Sequence, residues 1–203
     1  MIIGCIGWGS LIWNPKGLPV RAKWFEDGPL LPIEFARKSS KGRLTLVIVP
    51  GQQERVRTLW ALFSVDDLAA ACEALRLREG IGKDKAHDIK NWAAATAAGT
   101  PVDSTGAPGA GPTAPDPITR AIGNWGRYLG LDAVVWTGLP PSEFGNPPTQ
   151  RAPTDQEALE YLGARPHEQR LVAEEYIRRA PLQIDTPLRR VFAAKLGWTP
   201  VGQ

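Results

Sequence analysis

The chain has 203 residues, 43% hydrophobic and 22% charged, which supplies enough apolar material for a compact core and argues against general disorder. A net charge of +3, with Lys and Arg scattered among Asp and Glu and no basic-aromatic stripe, speaks against nucleic-acid binding. No apolar run reaches the ~20 residues of a membrane span, and Met1-Ile2-Ile3 lacks the basic start of a secretory leader, so a cytoplasmic protein with no membrane partner is expected.

The chain opens on Ile2-Ile3-Gly4-Cys5-Ile6, a β-branched run that predicts a buried strand, and breaks into Gly7-Trp8-Gly9-Ser10. Gly7 and Gly9 lack a Cβ, so they can take φ > 0 and let a ligand approach the amides of Gly9, Ser10 and Leu11, which could cup an anion; an ordinary turn is the competing reading. Residues 18–27, with Trp24-Phe25, form either a short strand or a loop anchored by aromatics, and Gly28-Pro29 ends them. Leu31–Phe35 and Leu44–Val49 predict two hairpin strands. The polar connection between them carries Arg37, Ser39 and Ser40, which face either a ligand or solvent.

Thr58–Phe63 predicts another strand, and Ser64 followed by Asp66-Asp67 a helix start. Leu68, Ala71, Cys72 and Leu75 mark its buried face, with Asp67, Glu73 and Arg76 outward, and Gly80 and Gly82 end it just after Glu79. Cys5 and Cys72 are expected as small core residues rather than a disulfide pair. A helix is expected from about Lys85 into Asn91-Trp92-Ala93-Ala94-Ala95. Residues 99–117, dense in Gly, Pro and Ala, are expected as a flexible loop or linker.

Asp116-Pro117 predicts a capped helix with Ile118, Ile122, Trp125 and Leu129 on one face, and Ala133–Trp136 a buried strand. Residues 144–153 read as loop. Thr154 and Glu157 form a capping box. A helix from Pro166 carries Leu171, Val172, Tyr176 and Ile177, and one from Thr186-Pro187 carries Leu188, Val191, Phe192 and Leu196 until Gly197. The order of elements implies an α+β fold with a small mixed, barrel-like sheet and flanking helices. Residues 1–150 are expected as one domain with an insertion near 99–117, and 151–203 as a helical C-terminal extension packed on it. His87 and His167 are far apart and lack a ligand pattern, so no metal site is expected.

The octapeptide Ile6-Gly7-Trp8-Gly9-Ser10-Leu11-Ile12-Trp13 resembles the Tyr-Gly-Ser-Leu loop that opens γ-glutamylcyclotransferase-like domains, and Asn14-Pro15 is similar to the ChaC-type branch. Trp8 stands where that family usually has Tyr, so an indole that only donates replaces a phenol. The resemblance implies that the loop, from Gly7 and Trp8 through Gly9, Ser10 and Leu11, holds the carboxylate end of a γ-glutamyl substrate on its amides, with Arg37 and Ser39 as further candidates. The order of elements from Phe63 to Gly80 is also similar to the family, in which an acid-Gly segment after a short helix carries the catalytic Glu; this implies a catalytic role for Glu79. Glu73, Asp84 and Asp88 are the alternative carboxylates. The aromatic that often follows in the family is replaced here by Ile81-Gly82-Lys83.

The implied reaction is intramolecular aminolysis releasing 5-oxoproline, with no metal or organic cofactor. A non-catalytic domain binding a small metabolite or a partner protein is the alternative. Ser10 as a hydrolase nucleophile is disfavoured, because its surroundings are not a Gly-x-Ser-x-Gly elbow and neither His has an evident Asp partner.

Overall fold

The structure is a computed structural model that describes residues 1–21, 23–94 and 115–201. Most of the predicted 99–117 insertion, up to residue 114, lies outside the described residues. The strands are β1 (Ile3–Gly7), β2 (Leu30–Leu31), β3 (Ile33–Lys38), β4 (Leu44–Ile48), β5 (Val56–Arg57), β6 (Leu59–Leu62), β7 (Ile89–Ala93), β8 (Ala133–Thr137), β9 (Glu143–Phe144) and β10 (Thr149–Gln150). The helices are α1 (Leu68–Glu79), α2 (Pro117–Tyr128), α3 (Asp155–Gly163), α4 (His167–Arg179) and α5 (Pro187–Leu196). Together they make an α+β fold with mostly antiparallel strands and flanking helices.

The chain divides into two compact units. The first, Met1–Gly7, Pro15–Pro29 and Leu59–Gly138, is built on a four-stranded sheet in the order β6-β1-β8-β7. β1 runs parallel to β8 and antiparallel to β6, which explains its uniformly apolar sequence: a central strand is covered on both faces. Along β7 the side chains alternate. Asn91 bonds Cys72 of α1, whereas Trp92 lies under Gly123 and Gly126 of α2, so the two helices cover opposite faces of the sheet. A Cβ at Gly123 would come within 2.6 Å of the Trp92 indole nitrogen, and the absence of one lets the helix sit close.

Several expectations in this unit change. Residues 89–93 are a strand, not the end of a helix: only a short 3₁₀ segment, Lys83–Asp88, precedes them, and Ile89 and Trp92 gain a full antiparallel ladder with β8. The helix α1 is capped by Asp67, whose carboxylate accepts from the Ala70 amide, rather than by Ser64. Arg76 is buried instead of outward, because its guanidinium folds back to donate to Ile81 O beyond the left-handed Gly80 and to Glu73 at 2.6 and 2.7 Å. The 18–27 stretch is a loop that touches β6 through two isolated bridges, Val20 to Phe63 and Phe25 to Trp60. Asp27 anchors it by accepting from the Trp60 indole at 2.7 Å.

The second unit, Trp8–Asn14, Leu30–Thr58 and Leu139–Gln203, holds the β3–β4 hairpin, the pairs β2–β5 and β9–β10, and helices α3 to α5. The Thr154–Glu157 capping box starts α3, and Thr186 and Gly197 bound α5 as expected. Residues 144–153, expected as loop, contain the short β9–β10 hairpin. On α4 the buried residues are Ala173, Tyr176 and Ile177, while Leu171 and Val172 are exposed, so its apolar face is rotated from the expected one.

Two buried charged residues tie the helices of this unit down. Arg189 of α5 donates to the carbonyls of Arg178, Ala180, Pro181 and Ile184, capping the end of α4. Glu34 of β3, only 2% exposed, accepts from the Thr186 hydroxyl (2.5 Å), the Phe35 amide (2.7 Å) and the Leu188 amide (3.2 Å), joining β3 to the start of α5. Burial pushes the Glu34 pKa above the usual carboxylate value, outweighing these hydrogen bonds. A carboxyl whose pKa rises on folding stabilises the fold fully below its unfolded pKa, and that contribution is lost as pH climbs through the folded pKa. Glu34→Gln cannot ionise and places an NH2 where a carboxylate oxygen accepted, so it should cost about 1–3 kcal/mol in urea unfolding at acid pH. That deficit should shrink as pH rises to neutrality; a deficit that grows instead contradicts the assignment.

Candidate functional site

The residues singled out from the sequence fall in both units: Gly7 and Glu79 in the first, and Trp8, Gly9, Ser10, Leu11, Arg37 and Ser39 in the second. In the first unit Glu79 is the last residue of α1, where Gly80 turns the chain at φ 69°. Its side chain is 20% exposed and receives Arg78 Nη1 at 2.6 Å. The carboxylate is close enough to β1 for its charge to be felt at Cys5, where burial is the larger cause of a strongly raised thiol pKa. Gly7 ends that same strand, pairing with Leu59.

Cys72 is likewise pushed up, to about 11, by burial, and both thiols are free. Cys5 is a core group, as expected, while Cys72 is only partly buried. The alternative carboxylates are differently placed. Glu73 is half exposed and held by Arg76, which lowers its pKa, while Asp84 is exposed and Asp88 lies 3.7 Å from His87.

In the second unit the loop Trp8–Asn14 folds as two overlapping turns, with the Ile12 amide donating to Gly9 O (3.0 Å) and the Asn14 amide to Ser10 O (2.9 Å). Trp8 is buried and its indole N–H donates to Leu46 O at 3.1 Å. The side chain that departs from the family pattern therefore fastens the loop to β4. Tyr176 of α4 completes the clamp, its hydroxyl accepting from the Leu46 amide at 3.3 Å. Gly9 is required by close approach rather than by backbone angle: neither Gly7 nor Gly9 has a positive φ, and a Cβ on Gly9 would stand 2.6 Å from the Tyr176 hydroxyl. This corrects the expectation that the two glycines supply φ > 0. Among the described residues, neither the Gly9 nor the Leu11 amide has a hydrogen-bond acceptor, although both residues are buried, so two backbone donors of the loop are left unpaired within the protein.

Arg37 and Ser39 have different hydrogen-bond partners. Arg37 Nη1 donates to Pro140 O at 3.0 Å, whereas Ser39 Oγ accepts from the Arg43 amide at 3.2 Å and from Arg43 Nε at 3.5 Å. The Arg43 guanidinium then lies 5.0 Å over the Tyr176 ring. Neither Arg43 nor Tyr176 was singled out from the sequence as a site residue. Tyr176 is recognisable there only as one apolar-face residue of α4, 130 positions from its partner Leu46.

A separate open cleft of about 420 Å³ is lined by Lys38, Phe144 and Tyr161 with Glu143, Glu157 and Glu160. Lys38 Nζ occupies its aromatic wall, 4.2 Å over Phe144, and donates to Glu143 O. Among the described residues no three His, Cys, Asp or Glu side chains are grouped to hold a metal ion, and no helix is long and apolar enough to cross a membrane. No family model, curated protein or solved structure matches the chain.

The clamp makes a stability prediction. Gly9→Ala should destabilise by about 1–3 kcal/mol through overpacking. Tyr176→Phe should cost a similar amount by leaving the Leu46 amide unpaired, about 1–3 kcal/mol. A methyl at position 9 would stand 2.6 Å from the hydroxyl oxygen but 3.5 Å from the nearest ring carbon, so Gly9→Ala should cost less when combined with Tyr176→Phe. Strictly additive losses in denaturant titrations contradict the contact.

Proposed function

We propose that the chain is a γ-glutamylcyclotransferase-like enzyme that releases 5-oxoproline from a γ-glutamyl amine or peptide. The α-amine of the γ-glutamyl group attacks its own γ-carbonyl, the new C–N bond closes the five-membered lactam, and the amide bond to the leaving amine breaks. Glu79 takes the proton that the attacking nitrogen gives up and passes it to the departing nitrogen. The amides of Gly9, Ser10 and Leu11 receive the α-carboxylate and hold the chain folded back. The reading carries with it the barrel-like sheet of that family and a small-molecule substrate with no cofactor.

The observation that carries this reading is the pair of loop amides, Gly9 and Leu11, that lack acceptors among the described residues, in the one stretch whose sequence resembles the family's substrate loop. The position of Glu79 adds to it. A carboxyl at the end of a rigid helix, four-fifths covered and oriented by Arg78, has the partial shielding a proton shuttle needs. Such a sparse site suffices chemically because nucleophile and electrophile share one molecule, and an enforced near-attack geometry is worth roughly 7–11 kcal/mol in favourable intramolecular models. The Glu79–Arg78 pair also suits the second reading, a non-catalytic binding domain in which Glu79 is structural.

The test is 5-oxoproline release from a panel of γ-glutamyl peptides and γ-glutamylamines. The parent should turn over at least one of them, and Glu79→Gln should lose about 10²–10⁴-fold in kcat, the usual worth of a positioned acid/base. A panel left entirely intact by the parent, or an unimpaired Glu79→Gln, overturns the proposal. Ligand binding without turnover favours the binding domain.

A further inference from the structure

We infer that Arg43 is the side-chain counter-ion for the carboxylate received by the Trp8–Asn14 loop, carried to it on the face of Tyr176. Every residue involved belongs to the second unit. The identity of the ligand, a γ-glutamyl compound, rests on the function proposed above; the anion site itself does not.

Arg43 stands at the end of the β3–β4 hairpin turn, which closes with the Gly42 amide donating to Ser39 O and the Ser39 amide to Arg43 O. Gly42 has φ 76°, and a Cβ there would strike the Gln169 side chain of α4, so the turn is seated tightly on that helix. Arg43 is half-buried, and among the described residues no carboxylate pairs with it. Other arginines of this unit are ion-paired, Arg178 with Glu174, Arg179 with Glu175 and Arg190 with Glu54, while Arg165 and Arg170, like Arg43, lie over an aromatic ring without a carboxylate among the described residues. The Arg43 guanidinium thus carries a charge that no carboxylate among the described residues neutralises, and its planar fork matches a ligand carboxylate.

The way it is held fixes what it can do. Stacking on Tyr176 uses the face of the guanidinium, and the Ser39 hydroxyl takes Nε, which leaves the outer pair of N–H donors pointing in the guanidinium plane. The same Tyr176 ring ends in the hydroxyl that sits against Gly9, so the stacked cation and the loop share one support. Trp13, from the loop itself, packs on Tyr176 with centroids 5.6 Å apart, and Arg179 lies 5.6 Å over Trp13. Arg43, Tyr176, the loop's own Trp13 and Arg179 therefore form one continuous run of contacts, guanidinium on phenol, phenol on indole, indole under guanidinium. Two backbone donors from Gly9 and Leu11 and a planar fork from Arg43 suit a carboxylate, whose two oxygens accept four hydrogen bonds. Ser39 enters as the residue that positions Arg43.

The inference is tested by calorimetric binding of γ-glutamylalanine and of the same compound with its glutamyl α-carboxylate converted to carboxamide. Binding is measured in a Glu79→Gln background to prevent turnover, with Arg43 intact, Arg43→Gln or Arg43→Lys. With Arg43 intact the carboxylate should bind about 10- to 100-fold more tightly than the carboxamide, the range expected for a charge-assisted contact. Arg43→Gln should bring the two ligands to within about threefold, and Arg43→Lys, which keeps the charge but loses the fork, should fall between. Unchanged thermal midpoints show that both variants fold. Discrimination that survives Arg43→Gln overturns the inference while leaving the proposed reaction standing if the parent turns over its panel. Arg43-dependent discrimination in a protein that never releases 5-oxoproline upholds the anion site and overturns the reaction. Absence of binding to either ligand overturns the site.

Discussion

The backbone of Leu46 is the point on which the candidate loop depends. Its carbonyl accepts from the Trp8 indole and its amide donates to the Tyr176 hydroxyl, so one residue of β4 fastens both the loop and the helix that presses on it. Among the described residues β4 is paired with β3 alone, so groups directed away from β3 have no second strand to meet. At Leu46 they meet side chains from residues 38 and 130 positions away, so tertiary contacts fasten in place a loop whose turns are closed by its own backbone bonds. The absence of a side chain at Gly9 follows from this, because the Tyr176 hydroxyl stands where a Cβ would be.

That rigidity matters for the proposed chemistry. A cyclisation within one substrate molecule needs little from the protein except a fixed fold-back and one proton carrier. Backbone donors held by a buried clamp supply a fixed point without the conformational entropy of long side chains, and a stacked guanidinium adds charge with its rotamers already restricted. Glu79 belongs to the other compact unit, on a helix that buries Ala71, Leu75 and Arg76 and leaves the Arg78 side chain only 6% exposed.

Much of the fold was legible because local signals were strong. Asp116-Pro117, Thr154 with Glu157, and Thr186-Pro187 with Gly197 bound their helices as capping chemistry dictates. The all-apolar runs of β1 and β8 mark central strands. What failed was decided at long range. Asn91-Trp92-Ala93-Ala94-Ala95 reads as the end of a helix, but pairing with β8 makes residues 89–93 a strand, and Trp92 is the residue that α2 closes over. Arg76 has an outward helical position by periodicity, yet the carbonyl of Ile81 draws it in. In the candidate site, the loop and Glu79 were visible through resemblance to a family. Arg43 and Tyr176 were not, since a hairpin arginine and an apolar-face tyrosine carry no local mark of meeting.

Whether the loop amides form an anion cradle is met most directly by following backbone amide resonances while 5-oxoproline, which retains the substrate's carboxylate, is titrated into the protein. Saturable shifts are expected, largest at Gly9, Ser10 and Leu11, and none at those positions with 5-oxoprolinamide, which lacks the charge. Amides of the loop that stay still, or that respond equally to both compounds, would contradict the cradle.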